Sequence, residues 1–143
     1  MLKQKKLSIF SLKASTLIIL TFFLIILYFY FSSSLQINNV SKAYITNQGD
    51  NTVSIIDLET LKPLKTLEVG VAPLGITILQ KKKLVFVGNV GTDDISVIDA
   101  VNDRLIKTIK LGTAPLSLAS NEEETEVYVT DWFQNNVLTI SAD

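Results

Sequence analysis

One stretch, Ala43 to Pro73, constrains the fold more than any other, because nearly all of it is written twice. Ile45-Thr46-Asn47 returns as Val87-Gly88-Asn89 and as Val129-Thr130-Asp131. Ser54-Ile55-Ile56-Asp57 returns as Ser96-Val97-Ile98-Asp99, and Gly70-Val71-Ala72-Pro73 as Gly112-Thr113-Ala114-Pro115. Each offset is 42 residues, and three separate landmarks at one period define an internal repeat.

Within the repeat, short β-type runs alternate with turn residues. Lys42 to Asn47 ends at Gln48-Gly49-Asp50-Asn51, residue types that tolerate the positive φ of a tight reversal. Thr52 to Asp57 places Val53 and Ile55 on one face, and Asp57 suits the opening of a type I turn. Pro63 to Val69 reads as a third strand. Gly70 is expected to free the backbone for a turn, and Pro73 to open a fourth strand, Leu74 to Leu79. The second copy gives Leu84–Asn89, Asp94–Asp99, Arg104–Leu111 and Leu116–Ala119; the third gives Val127–Asp131 and Val137–Ser141. Strands this short and evenly spaced indicate an all-β architecture. Four strands per 42 residues is the period of a propeller blade.

At these residues the chain resembles a known family. Ala-Tyr-Ile-Thr-Asn (43–47), Thr-Val-Ser-Ile-Ile-Asp (52–57) and Val-Gly-x-x-Pro (69–73) are similar to the YVTN-type β-propeller repeat. Tyr128-Val129-Thr130-Asp131 departs in its last residue, and Val87-Gly88-Asn89 lacks the threonine. The resemblance implies a partial β-propeller over residues 42–143. It also implies company with bacterial surface and surface-layer proteins, and with seven-bladed propellers that bind partners or host redox enzymes. Fold is implied strongly by such a resemblance and function weakly. Roughly two and a half repeats are present, whereas a closed propeller needs about four or more blades. A truncated fragment is the favoured reading of that shortfall; several copies sharing one ring is the alternative. With the Pro73 strand innermost, the order is three strands, then four, then three. Leu35-Gln36-Ile37 lies 42 residues before Thr77-Ile78-Leu79, as a remnant inner strand would.

The N-terminal third obeys other rules. Residues 1–13 are basic, with Lys3, Lys5, Lys6 and Lys13 and no acid. Residues 14–31 carry no charge over 18 positions, about 27 Å as a helix and close to a roughly 30 Å hydrocarbon core. Tyr28-Phe29-Tyr30-Phe31 suits a headgroup region, and the lysines suit retention in the cytoplasm. The expected topology is a single-pass signal-anchor helix with the repeats extracytoplasmic. Residues 32–41 form a linker. The competing reading is a cleaved signal peptide with Ser32-Ser33-Ser34 at the cleavage site, which would release the repeats.

Composition removes whole function classes. The 143 residues include no cysteine and no histidine, so thiolate nucleophiles, Ser-His-Asp triads and His- or Cys-ligated metals are excluded. Beyond Leu35, nine basic residues face 14 acidic ones, which offers nucleic acid no attraction. No catalytic residue and no cofactor is expected. The second reading is a piece of a propeller enzyme, of lactonase or redox type, whose catalytic residues lie outside this chain.

Asn47, Asp57, Gly70, Pro73, Asn89, Asp99, Gly112, Pro115 and Asp131 are read as repeat turn landmarks. Asp50, Asp57, Asp93, Asp94 and Asp99 also raise calcium, but they lack the ordered spacing of a calcium loop and fit turn capping better. Lys81-Lys82-Lys83 and Glu122-Glu123-Glu124 fall in corresponding loops of successive repeats and read as solvated turn residues, with an exposed charge pair across neighbouring blades as the alternative. Trp132-Phe133 stands where the other copies have Gln48-Gly49 and Val90-Gly91. The pair is the candidate contact for a protein or surface-polymer partner, or a cover for an unpacked blade face.

Overall fold

The computed structural model describes Leu17, residues 19–30 and residues 40–143. The basic segment 1–13 and most of the linker, including Leu35 to Ile37, lie outside the described residues. Contacts divide the chain into a unit ending at Asn39 and a second unit from Val40 to Asp143. In the first unit residues 19–30 are helical and expose their apolar side chains. Among the described residues no helix is long and apolar enough to cross a membrane; Ala14 to Thr16, Ile18 and Phe31 of the expected span are not among them.

The second unit has ten strands: β1 (Lys42–Asn47), β2 (Thr52–Asp57), β3 (Pro63–Glu68), β4 (Pro73–Leu79), β5 (Leu84–Asn89), β6 (Asp94–Asp99), β7 (Arg104–Lys110), β8 (Pro115–Ser120), β9 (Glu126–Asp131) and β10 (Val137–Ser141). They form three antiparallel meanders, ordered β1-β2-β3, β4-β5-β6-β7 and β8-β9-β10. This is the three, four, three partition expected from the repeat. The register also repeats: Tyr44 lies opposite Ile55, and Phe86 opposite Val97.

Apolar residues on the sheet faces drive the sheets together. Val53, Ile55 and Leu67 of the first sheet pack with Val85, Val87 and Ile98 of the second. Phe86, Ile95 and Val97, on the opposite face of the second sheet, pack with Leu118, Val127 and Val129 of the third. The middle sheet is thus covered on both faces, and its strands β5 and β6 are buried almost continuously. Strands β2 and β9 instead alternate between buried and more exposed residues. A sheet clad on one side only needs apolar residues at every second position.

Gly88 explains why the second copy lacks the motif threonine. A Cβ there would lie 2.8 Å from the Pro115 carbonyl oxygen and 2.8 Å from Leu118 Cδ1, so β8 approaches too closely for a side chain. Thr46, its counterpart, has room and donates its hydroxyl to the Leu74 carbonyl at 3.1 Å. Gly88→Ala is therefore expected to destabilise the protein by about 1–3 kcal/mol, the usual cost of overpacking. Gly49→Ala, with no atom within 4 Å of the added Cβ, is expected to have a much smaller effect. Thermal unfolding of the two variants checks the contrast.

Candidate functional site

The turns joining the strands carry most of the polar chemistry. Asp57 Oδ1 accepts the N–H groups of Glu59 at 2.8 Å and Thr60 at 3.2 Å, while Oδ2 accepts the Thr60 hydroxyl at 2.8 Å. Asp99 repeats the arrangement with Val101 and Asn102, and Asn102 Nδ2 donates to its Oδ2 at 2.7 Å. Hydrogen bonds to the charged form hold both carboxyls below the usual aspartate range, led by the Thr60 hydroxyl at Asp57 and the Asn102 amide at Asp99. Both carboxylates thus have their oxygens engaged by their own turns.

The sign of the pH effect follows. A carboxyl whose folded pKa is depressed contributes stability above its unfolded value, about 3.9, and loses that contribution as pH falls through the folded value. Asp57→Asn keeps a side-chain oxygen but removes the charge. Its melting temperature is expected below wild type at pH 7, with the gap closing as pH falls under about 4. A gap of constant size from pH 7 to 3 would contradict this.

Asn47 and Asn89 work across their hairpins. Asn47 Nδ2 donates to Thr52 Oγ1 at 3.0 Å and Ser54 Oγ at 2.8 Å; Asn89 Nδ2 donates to Asp94 Oδ1 at 2.8 Å and Ser96 Oγ at 2.9 Å. Asn89 is fully buried, and its Oδ1 has no partner among the described residues. Asp94, also buried, takes Lys110 Nζ at 2.7 Å. Among the described residues no group of acidic side chains converges as a metal site would require.

Gly70 departs from the turn expectation. The positive φ of its loop falls on Ala72, at 52°, and not on the glycine. Gly70 is needed for clearance, since a Cβ there would sit 2.3 Å from Thr92 Oγ1 and 2.6 Å from Asn89 Nδ2. Gly112 is a conformational glycine, with φ of 74° and open space around it. Pro73 and Pro115 are fully buried and begin β4 and β8, each beside a register shift.

The charged loops also depart from expectation. Glu124 is buried, and its carboxylate accepts the backbone N–H groups of Gln80 at 2.9 Å, Lys81 at 2.8 Å and Lys82 at 3.3 Å. One acid of the third sheet thus caps a turn of the second. Lys81 Nζ meets the Glu122 carbonyl at 2.8 Å, and Lys82 Nζ pairs with Asp143. Between the first two sheets, Asp103 binds Lys42 Nζ at 2.7 Å and the Tyr44 hydroxyl at 3.2 Å. Burial, and then the Asp103 charge, push the Tyr44 phenol well above the ordinary tyrosine range. Glu124→Ala strands three amide groups and is expected to cost about 1–3 kcal/mol, whereas exposed Glu123→Ala should cost a small fraction of that. Equal denaturant midpoints for the two variants would refute the capping role.

Trp132 and Phe133 occupy the loop between β9 and β10. They are 55% and 75% exposed, and Val137, first in β10, is exposed too. Asp131 holds this loop open. Its Oδ1 accepts the N–H groups of Phe133 at 2.7 Å and Gln134 at 3.2 Å, and its Oδ2 accepts the Thr113 hydroxyl. Trp132 N–H donates to the Ala114 carbonyl at 3.1 Å. The asparagine arrangement is not available here, because Leu138 stands at the position of Ser54 and Ser96. Loss of that hydroxyl and the change of Asn to Asp go together. The carboxylate turns to its own loop, and the two aromatic side chains stand in solvent.

No family model and no curated protein matches the chain. Solved structures do. The chain is similar to the hydrazine synthase of Kuenenia stuttgartiensis, with a TM-score of 0.68 and 26% identity over 71% of this chain. It is similar to the dihydro-heme d1 dehydrogenase NirN in complex with DHE, at 0.63 and 18% over 72%. It is also similar to a chain of the mitotic checkpoint complex, at 0.64 and 21% over 71%. The chain spans 30%, 22% and 32% of the lengths of those three chains. These are β-propeller-type proteins. The described residues 40–143 therefore form part of a β-propeller, with its three sheets as blades.

Proposed function

We propose that the chain is a membrane-anchored, extracytoplasmic propeller segment of the YVTN repeat type, with a binding or scaffolding role. The observation that carries this reading is the aromatic pair Trp132-Phe133. It is exposed on a loop that Asp131 fixes from within, on a scaffold of packed sheets. Solvent-facing aromatics on a loop braced by backbone hydrogen bonds suit recognition of a protein or a surface polymer. The repeat motifs, which resemble those of surface proteins, support the same reading. Anchoring is supported by the uncharged run 14–31 and by the lysines that precede it.

The test uses the full chain expressed in cells. It is expected in the membrane fraction and resistant to alkaline extraction, with the repeats digested by protease added outside the cytoplasm. Detergent-solubilised wild type is expected to co-sediment with purified envelope polymer or to cross-link to an envelope protein. The doubly substituted Trp132→Ser/Phe133→Ser chain should lose that binding by about tenfold or more, with an unchanged β-type circular dichroism spectrum. Unchanged binding, or loss of the spectrum, defeats the assignment. A second reading, a segment of a propeller enzyme, draws support from the synthase and the dehydrogenase among the similar structures. Without histidine or cysteine in this chain, its catalytic groups would have to come from elsewhere.

A further inference from the structure

The edge strands of the first two sheets carry one surface pattern twice. Lys62-Pro63-Leu64-Lys65-Thr66 recurs 42 positions later as Arg104-Leu105-Ile106-Lys107-Thr108, and every one of these residues is exposed. Lys62 stands just before β3; the others lie on β3 and β7, at the edges of their sheets. In each copy the apolar residue between the bases is the one the register skips. Ile55 faces Lys65 and Ile56 faces Pro63, which passes over Leu64; Val97 and Ile98 pass over Ile106 in the same way. Leu64 is 46% exposed and Ile106 48%. Leu64 stays exposed with the second sheet stacked in front of its blade, and Ile106 with the first sheet stacked behind. A neighbouring blade on either side thus leaves the position open.

Charge is segregated to the same strands. β3 and β7 hold four bases, Lys65, Arg104, Lys107 and Lys110, and one acid, Glu68; the other eight strands hold one base, Lys42, and five acids. The two edges adjoin, since Lys65 Nζ donates to the Asp103 carbonyl at 2.8 Å, in the turn that leads into β7. An acidic domain therefore presents a basic rim. Lysines and bulges on an edge strand hinder pairing with foreign strands. That accounts for the bases, but an exposed leucine and an exposed isoleucine at the two bulges work against it.

We propose that this rim docks on an anionic phospholipid surface, with Leu64 and Ile106 entering the interfacial layer and the flanking bases meeting the headgroup phosphates. Apolar side chains set among bases suit an interfacial contact, and every base near an anionic surface adds to the attraction. The proposal takes its membrane from the anchoring reading above. The chain enters the blades at the end where β3 and β7 begin. There the Ser41 carbonyl accepts the Leu58 N–H at 2.9 Å, and Lys42 Nζ meets Asp103. Residues 32–41 separate Lys42 from the uncharged run, a reach of at most about 35 Å.

The chain has no cysteine of its own, so a dye placed at Thr108→Cys reads the rim alone. The full chain is reconstituted in vesicles that carry a headgroup quencher. In equal parts phosphatidylglycerol and phosphatidylcholine, quenching is expected several-fold above that in phosphatidylcholine alone, and is expected to fall back in high salt. The same dye at Asp50→Cys, in an exposed turn at the other end of the strands, should show no such difference. Lys65→Glu with Lys107→Glu is expected to lower the docked-to-free ratio about tenfold or more. Leu64→Ser with Ile106→Ser should lower it while keeping the salt response. All four side chains are exposed, so the β-type circular dichroism spectrum should be unchanged. Equal quenching in both lipids, or docking that survives the double charge reversal, would overturn the proposal. So would a soluble polyphosphate that binds the rim when phosphatidylglycerol does not. An alkali-resistant chain whose rim is never quenched defeats the docking and leaves the anchor; an alkali-extractable chain quenched by added phosphatidylglycerol vesicles does the reverse.

Discussion

Everything in the repeat region depends on sheets that are apolar on faces they cannot cover themselves. An antiparallel sheet of three or four short strands has no interior, so Val53 or Phe86 leaves water only when a neighbouring sheet lies over it. The stack is thus the unit of stability, as in other repeat proteins. The middle sheet shows the consequence most clearly. Ile95 and Val97 pack forward and Ile98 packs backward, so β6 has lost the alternation of a one-sided strand. The register shift between Val97 and Ile98, where β6 meets β7, recurs between Ile55 and Ile56, where β2 meets β3.

Polar groups in the turns secure what the apolar layers bring together. Some act locally, as Asp57 and Asp99 do by engaging the N–H groups that follow them. Others act between blades. Glu124 reaches across to the turn at Gln80 to Lys82, and Asp103 gathers Lys42 and Tyr44. Such contacts are directional where the apolar layer is not, so they fix how far one sheet slides over the next. Asp131 holds its own loop and also takes the hydroxyl of Thr113, in the connection that leads into β8. The loop bearing Trp132 and Phe133 is thus hydrogen-bonded along its backbone while both side chains stand in water.

The strand plan was legible in the residues because each strand is bounded by turn chemistry. Asn47, Asp57, Asn89 and Asp99 each close a strand at the residue the pattern indicates. The reasons behind individual landmarks were less legible. Gly70 and Gly112 occupy one motif position, yet one clears space for Asn89 and the other supplies a positive φ. Both are followed two residues later by Ala-Pro, but Val71 stands where the other copy has Thr113, and the side chain that approaches from another strand is Asn89 at Gly70 only. Glu124 was hidden for the same kind of reason. A run of three glutamates reads as solvated, and only the neighbouring blade shows which of them meets three backbone amides.

By itself, then, the sequence determined the period, the strands, the turn positions and the absence of histidine and cysteine chemistry. Those follow from residue type and short-range spacing, which act along the chain. Tertiary structure decided which face of each strand meets which sheet, why Gly88 replaces a threonine, and which acid is buried. It also decided that Trp132 and Phe133 remain in solvent. Most of those facts arise between residues well separated along the chain, as with Gly88 against Pro115 and Leu118 or Glu124 against Gln80 to Lys82, where only packing can bring the groups together.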